Sequence, residues 1–260
     1  MKAAMTVAGS DSGAGAGIQA DIFAIASQGV FATSAVAALT AQNPSGVRSI
    51  FPVSANFLTA QMESVCEYFK PCAAKCGMMF NAELVNAAAD FFGKHREIKL
   101  VVDPVMISTS GTKLLSDGAV FALTARLMPL AVLSTPNLDE ACFLLNCAKI
   151  DSSNLEKSAV RLSEMLGSPV LLKGGHLHGD EIIDVLAENG EVSLFKSKRV
   201  LGVDTHGSGC TLSATIAARL ALGDGLKDAV ASSRDYLLRS MEKSLSVAGK
   251  HFINHFPNKK

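Results

Sequence analysis

The chain contains no tryptophan and only two tyrosines, and its 24 lysines and arginines are matched by 24 aspartates and glutamates. A chain without tryptophan, nearly without tyrosine and with no positive excess is poor in the features that hold nucleic acid, so no nucleic-acid partner is expected. The same balance provides no field toward acidic partners or a membrane surface. No apolar run approaches the ~20 residues that span a bilayer. The opening MKAAMTVAGSDSG also lacks the apolar stretch and small-residue cleavage site of a secretory leader. The expectation is a soluble, cytoplasmic protein with no membrane partner. Six cysteines, at positions 66, 72, 76, 142, 147 and 210, form no C-x-x-C pair. A chain of 260 residues does not depend on disulfide staples. They read as reduced thiols, mostly in the core.

Hydrophobic residues make up 48% of the chain and charged residues 18%, enough for one large core. No repeat, charge block or low-complexity linker divides it, so a single domain over 1–260 is expected. Short apolar runs at 5–8, 36–39, 73–76, 100–102, 132–134 and 170–172 read as buried parallel strands, apolar on both faces. Amphipathic stretches at 18–28, 56–68, 82–94, 113–127, 138–145, 155–166, 211–221 and 226–246 read as helices, most starting beside a capping-type residue. This alternation predicts an α/β layered fold. Around Asn189-Gly190, the runs 182–186 and 192–195 predict an antiparallel hairpin at the sheet edge.

Several segments have the chemistry of a site. Asp204-Thr205-His206-Gly207-Ser208-Gly209-Cys210-Thr211 runs into an Ala-rich helix, so converging N–H groups and the helix dipole make an anion cradle, or else an ordinary Gly-rich loop. Gly202 to Gly207 has P-loop spacing, but Ser208 stands where that motif needs lysine. Gly15-Ala16-Gly17 imitates a dinucleotide fingerprint without the ribose-binding acid. Gly9 to Gly17 follows the first strand at its carboxyl end, where open α/β sheets bind ligands. Asn137 and Glu140 share one helix face after Thr135-Pro136. With Asp103 they could hold Mg²⁺, or they could be only a cap with a first-turn acid. Lys173-Gly174-Gly175-His176 puts a cation and two glycines at another strand end, suited to nucleotide phosphates. His176 and His178 lack a third local ligand, so no metal is assigned there.

Taken in order, Gly9 to Asp21, Thr40-Ala41-Gln42-Asn43, Asp103-Pro104-Val105-Met106 with Ser110-Gly111, Thr135 to Glu140, Lys173 to His176 and Thr205 to Thr211 resemble the hydroxymethylpyrimidine/phosphomethylpyrimidine kinases over nearly the whole chain. The resemblance implies a three-layer ribokinase-like fold, mostly parallel. It also implies transfer of phosphate from ATP with Mg²⁺ to a hydroxymethylpyrimidine and then to its monophosphate, in thiamine synthesis, by a homodimer. By similarity, Gln42 hydrogen-bonds the aminopyrimidine, and Gly9, Ala16, Asp21, Met78 and Val105 line its pocket. Lys173, Gly174, Thr205, Gly207 and Gly209 meet the nucleotide. Lys173 and the Gly207, Ser208, Gly209 and Cys210 amides stabilise the transferring group. Cys210 takes the place of the sugar kinases' aspartate base, and its helix N-terminal position is expected to lower its pKa. Alternatively it only packs under the loop.

Ala14 and Ser208 depart from residues common in relatives, glycine and threonine. A pyridoxal or pyridoxine kinase remains the near alternative, and a non-catalytic pyrimidine binder the more distant one. The small, polar segment 108–112 is a candidate lid.

Overall fold

Strand residues that alternate between two apolar environments build this molecule in three layers. In the computed structural model, which describes residues 1–106, 117–175, 177 and 179–257, Met5 and Val7 of strand β1 (Ala3–Ser10) enter one core cluster and Ala4 enters the other. The same period of two sends Ala74 and Cys76 one way and Ala73 the other in β4 (Ala73–Cys76). It also divides Leu100 and Val102 from Val101 in β5 (Lys99–Val102), and Val170 and Leu172 from Leu171 in β7 (Val170–Leu172). A strand apolar on both faces must be covered on both.

One face carries α2 (Ala55–Phe69), α3 (Ala82–Lys94), α4 (Asp117–Ala122), α5 (Leu138–Leu145) and α6 (Leu155–Leu166). The other carries α1 (Gly17–Ser27), α7 (Ser208–Leu222) and α8 (Leu226–Glu242).

The remaining strands are β2 (Phe31–Asn43), β3 (Gly46–Pro52), β6 (Leu133–Ser134), β8 (Glu181–Glu188), β9 (Glu191–Lys198) and a separate small ribbon of β10 (Leu245–Val247) and β11 (Lys250–Phe252). Among the described residues the main sheet runs β3-β2-β1-β4-β5-β6-β7-β8-β9, parallel from β2 to β7 and antiparallel at both edges. Because the chain turns from β1 to β2 on one side and continues through β4 on the other, a crevice opens at the carboxyl end of β1.

The expected strands and helices are present, with three corrections. β2 extends well beyond 36–39 and pairs with β3, which has no expected counterpart: its residues are half to fully exposed, so no apolar run marks it. The last helix stops at Glu242 rather than 246, and Leu245 begins the ribbon. The start of the helix expected at 113–127, and the candidate lid at 108–112, lie outside the described residues. The helix's remainder, α4, continues into a π-turn at Leu123–Leu127. Caps are fewer than expected. Ser54, Asn81 and Asn137 accept first-turn N–H bonds at α2, α3 and α5, whereas α1, α6, α7 and α8 have no side-chain cap. At the predicted hairpin, Asn189 (φ 51°) and Gly190 (φ 81°) are both left-handed, the type I′ turn that suits strand twist.

Candidate active site

A cavity of about 820 Å³ opens at the carboxyl ends of the parallel strands. The loop after β1 forms one wall, the N-terminus of α7 the floor, and the β8–β9 hairpin with α8 the far end. Of the expected residues, Gly9, Ala16, Gln42, Met78, Val105, Asp103, Asn137, Glu140, Lys173, Thr205, Gly207, Ser208, Gly209 and Cys210 line it.

The floor is an anion loop. Gly207 has φ 81°, and a Cβ there would collide with the Gly15 carbonyl, so this position requires glycine. The turn uses the Ser208 N–H, which donates to the Thr205 carbonyl (3.0 Å), and the helix begins with Thr211 N–H on Gly207 O (2.8 Å). No side chain caps α7. The first-turn donors facing the cavity are therefore those of Gly209 and Cys210, backed by the helix dipole, while the Ser208 amide expected among them is spent in the turn.

His206 ties this loop to the N-terminal loop. Its Nε2 lies 3.0 Å from Asp11 Oδ2 and 3.4 Å from the Gln42 amide nitrogen, and its backbone N–H donates to Asp204 Oδ1. Asp11 also accepts the N–H groups of Gly13 and Ala16. Burial works against its charge, but the His206 bond and these amides outweigh it and hold the carboxyl below its ordinary range. Ala14 adopts φ 59° in the same loop, a left-handed conformation that costs a side-chain-bearing residue about 1 kcal/mol.

Lys173 at the end of β7 donates to Asp103 Oδ1 (2.9 Å) at the end of β5. Thr135 donates to the same oxygen (3.1 Å) and Ser213 of α7 to the other (3.2 Å). Burial disfavours the Asp103 charge, yet the Lys173 and Lys75 ammonium groups keep its pKa low. A Cβ on Gly209 would sit 3.1 Å from Lys173 Nζ, so the anion loop passes directly over this pair.

Gly174 departs from expectation: it lines no part of the cavity. Its N–H donates to Asp184 (2.8 Å), and a Cβ would strike the Ile183 carbonyl. Arg234 of α8 holds the second Asp184 oxygen (2.7 Å). Arg199 instead fixes the segment after Lys173, donating to the carbonyls of Gly175, Leu177 and Gly179. His176 and His178 lie outside the described residues.

Asn137 and Glu140 form a reciprocal capping box at α5: Asn137 Oδ1 accepts the Glu140 N–H (2.9 Å) and Glu140 Oε2 accepts the Asn137 N–H (2.8 Å). The Asn137 oxygen expected at a metal is thereby committed to the helix. Among the described residues no group of three or more His, Cys, Asp or Glu side chains could hold a metal alone. Asp103 and Glu140 nonetheless suit a magnesium ion that keeps waters and takes its other ligands from nucleotide phosphates.

Burial pushes the Glu140 carboxyl up to about 7, with Lys173 opposing and Asp103 adding to the rise. The folded chain thus holds a proton between about pH 4.5 and 7 that the unfolded chain has released, and stability from this group falls as pH rises through that window. Glu140→Gln keeps the capping box but cannot ionise. Relative to wild type, its unfolding free energy in urea is expected to be about 2–3 kcal/mol higher at pH 8 than at pH 5.

Asp21 does not line the cavity. It is fully buried behind the wall, where its oxygens accept Lys75 Nζ at 2.8 and 2.9 Å and the Thr6 hydroxyl at 2.6 Å. Lys75 lines the wall instead. Burial alone would drive its proton off, but Asp21 reverses this and keeps it an ammonium. Gly9 is fixed by its N–H on Met78 O (3.0 Å), and a Cβ there would press on the Met78 methyl group. On β2, Gln42 is placed by Thr40 and His206 with its amide beside this apolar slot.

Cys210 is half-buried in the first turn of α7. The lowered thiol expected from the helix terminus is not what this environment produces: burial pushes it up to about 11, against the opposing Lys75 charge.

Sequence reasoning quoted His206 and Asp11 inside motifs but gave them no role, because a pair 195 residues apart leaves no local signal. It passed over Lys75 despite a clear one, a charged residue inside an otherwise apolar buried strand, which demands a partner.

An anion loop at a helix N-terminus, facing a buried Lys–Asp pair across strand ends of a doubly covered α/β sheet, defines a phosphotransferase of the ribokinase-like class. The chain belongs to the phosphomethylpyrimidine kinase family, whose model matches residues 11–255. It is 40% identical to the hydroxymethylpyrimidine/phosphomethylpyrimidine kinase of Haemophilus influenzae, covering 96% of this chain and 95% of that one. It is also 40% identical to the thiamine biosynthesis bifunctional protein of Geobacter sulfurreducens, where 96% of this chain spans about half (51%) of the relative. Among solved structures, an ADP complex of Bacillus subtilis pyridoxal kinase superposes with a TM-score of 0.90 at 29% identity, covering 98% and 97% of the two chains.

Proposed function

We propose that the protein moves the γ-phosphoryl group of ATP onto the hydroxymethyl group of 4-amino-5-hydroxymethyl-2-methylpyrimidine, then onto the resulting monophosphate, giving the pyrimidine diphosphate used for thiamine. The observation that carries this reading is that one cavity joins two parts. The Gly9–Gln42–Met78 slot fits a small flat heterocycle, and it opens onto the anion loop and Lys173.

Phosphoryl transfer through a loose transition state needs positioning and charge neutralisation more than covalent chemistry. The Gly209 and Cys210 amides face the transferring group, and Lys173, held by Asp103, meets the nucleotide phosphates. Asp103 and Glu140 are the residues that would hold Mg²⁺, which would supply charge neutralisation to the phosphates. Gln42 offers its amide to the aminopyrimidine edge. The acceptor oxygen forms the new P–O bond as the bond to ADP breaks, and its proton passes to Cys210 as thiolate. The reading extends to a cytoplasmic homodimer. Leu39 and Phe51, cross-strand partners on β2 and β3, are 52% and 70% exposed, apolar surface that a second copy would cover.

A second reading, a pyridoxal kinase, draws on the likeness to the Bacillus subtilis enzyme. Thermal unfolding with each ligand tests the nucleotide half of the proposal. A ligand at a hundred times its Kd adds about 2.7 kcal/mol, so Mg²⁺-ATP and the pyrimidine should each raise Tm. A non-catalytic pyrimidine binder would respond only to the pyrimidine. His206→Ala removes a hydrogen bond to a carboxylate worth about 1.5–3 kcal/mol and frees Gln42 and the N-terminal loop. The pyrimidine is expected to bind about tenfold or more weakly by calorimetry.

A further inference from the structure

Helix α5 ends away from the cavity in a Schellman motif. The Cys147 N–H donates to the Cys142 carbonyl (3.0 Å), the Asn146 N–H to the Phe143 carbonyl (3.2 Å), and Asn146 is left-handed at φ 49°. In this motif the side chains at the two ends of the longer bond meet, usually as an apolar contact. Here both are cysteines, and both pack against the same core cluster. Both are free and half-buried, beside the exposed Phe143, Asn146, Ala148 and Lys149, so small solutes reach them. Cys76, in contrast, is fully buried within β4. The pair takes no part in the proposed phosphoryl transfer, and its five-residue spacing matches no dithiol motif that sequence reading would flag.

We propose that Cys142 and Cys147 form a dithiol modification site, converted by hydroperoxides into an intramolecular disulfide. The backbone turn joins the two residues through a direct hydrogen bond before any reaction, the proximity a disulfide needs. One thiolate attacks the peroxide O–O bond, becoming a sulfenic acid while the alcohol, or water from hydrogen peroxide, departs. The second thiol attacks that sulfur, forms the S–S bond and expels water. Two thiols and one hydroperoxide give one disulfide, one alcohol and one water. Burial first, and the neighbouring Cys147 second, push the Cys142 thiol up.

Both cysteines fall on one tryptic peptide, residues 127–149, which contains no other. The full chain is treated with hydrogen peroxide, alkylated with iodoacetamide and digested. The expected peptide carries no alkyl group and is lighter than the reduced form by two hydrogens; dithiothreitol before alkylation restores both alkylation sites. Cys142→Ser and Cys147→Ser should each abolish the mass loss, and their folding is checked by circular dichroism. Two alkylated thiols at every peroxide dose that leaves the chain folded would overturn the proposal. So would sulfinic or sulfonic acids, or chain-to-chain crosslinks, in place of the internal bond.

Discussion

Cys210→Ala is expected to lower kcat for pyrimidine phosphorylation at pH 8 by about 10²–10⁴, the range for loss of a positioned general base. The wild-type pH profile should carry a second signature. With its thiol pushed up to about 11 by burial, Cys210 is ionised in only about one molecule in three thousand at pH 7.5. The thiolate fraction rises tenfold per pH unit below that value. Log kcat is therefore expected to climb with a slope of about one between pH 8 and 10 in the wild type and to flatten in Cys210→Ala. A stopped-flow or coupled assay across that interval measures both. Activity of the variant within about threefold of wild type, with an unchanged profile, would mean the acceptor proton leaves by another route and the thiol only packs beneath the loop.

Lys75→Met is expected to cost about 3–5 kcal/mol of unfolding free energy, because it strands the Asp21 carboxylate in the core. Both side chains are fully buried, and Thr6 is the other partner that Asp21 retains. Adding Asp21→Asn removes the uncompensated charge and should recover most of that loss, since replacing a buried pair is far less harmful than breaking one. Urea unfolding of the two single variants and the double variant closes the cycle. If Lys75→Met alone is neutral, the pair is not the ionised bridge its geometry indicates. Kinetics on the stable double variant then show whether the Lys75 charge also serves the site: loss of that charge beside Cys210 should lower kcat further while the fold is intact.

The architecture was legible because the core strands are apolar on both faces and the helices between them are amphipathic. Segments such as 73–76, 138–145 and 170–172 matched their elements to the residue. β3 was not, since an edge strand exposed on both sides leaves no apolar run to recognise. Residues that follow strand ends directly, Asp103, Lys173 and the Gly207–Cys210 loop, do come together in one cavity, as their motifs predict. Placement differs from expectation where a group is already committed to a neighbour. Gly174 faces β8 rather than the cavity, Asn137 turns inward to cap its helix, and Asp21 belongs to Lys75. The Cys210 thiol was misjudged in sign because a helix terminus acts through the field of one turn, while burial in the folded loop acts on the whole side chain. No local pattern reveals the latter.

The acceptor that is phosphorylated decides the function. Steady-state turnover with Mg²⁺-ATP should be compared for hydroxymethylpyrimidine, its monophosphate and pyridoxal. Phosphorylation of both pyrimidines, with kcat/KM above that for pyridoxal, is the predicted result. A preference for pyridoxal would contradict it and move the activity to that vitamin, and no turnover of any acceptor would reduce the protein to a binder.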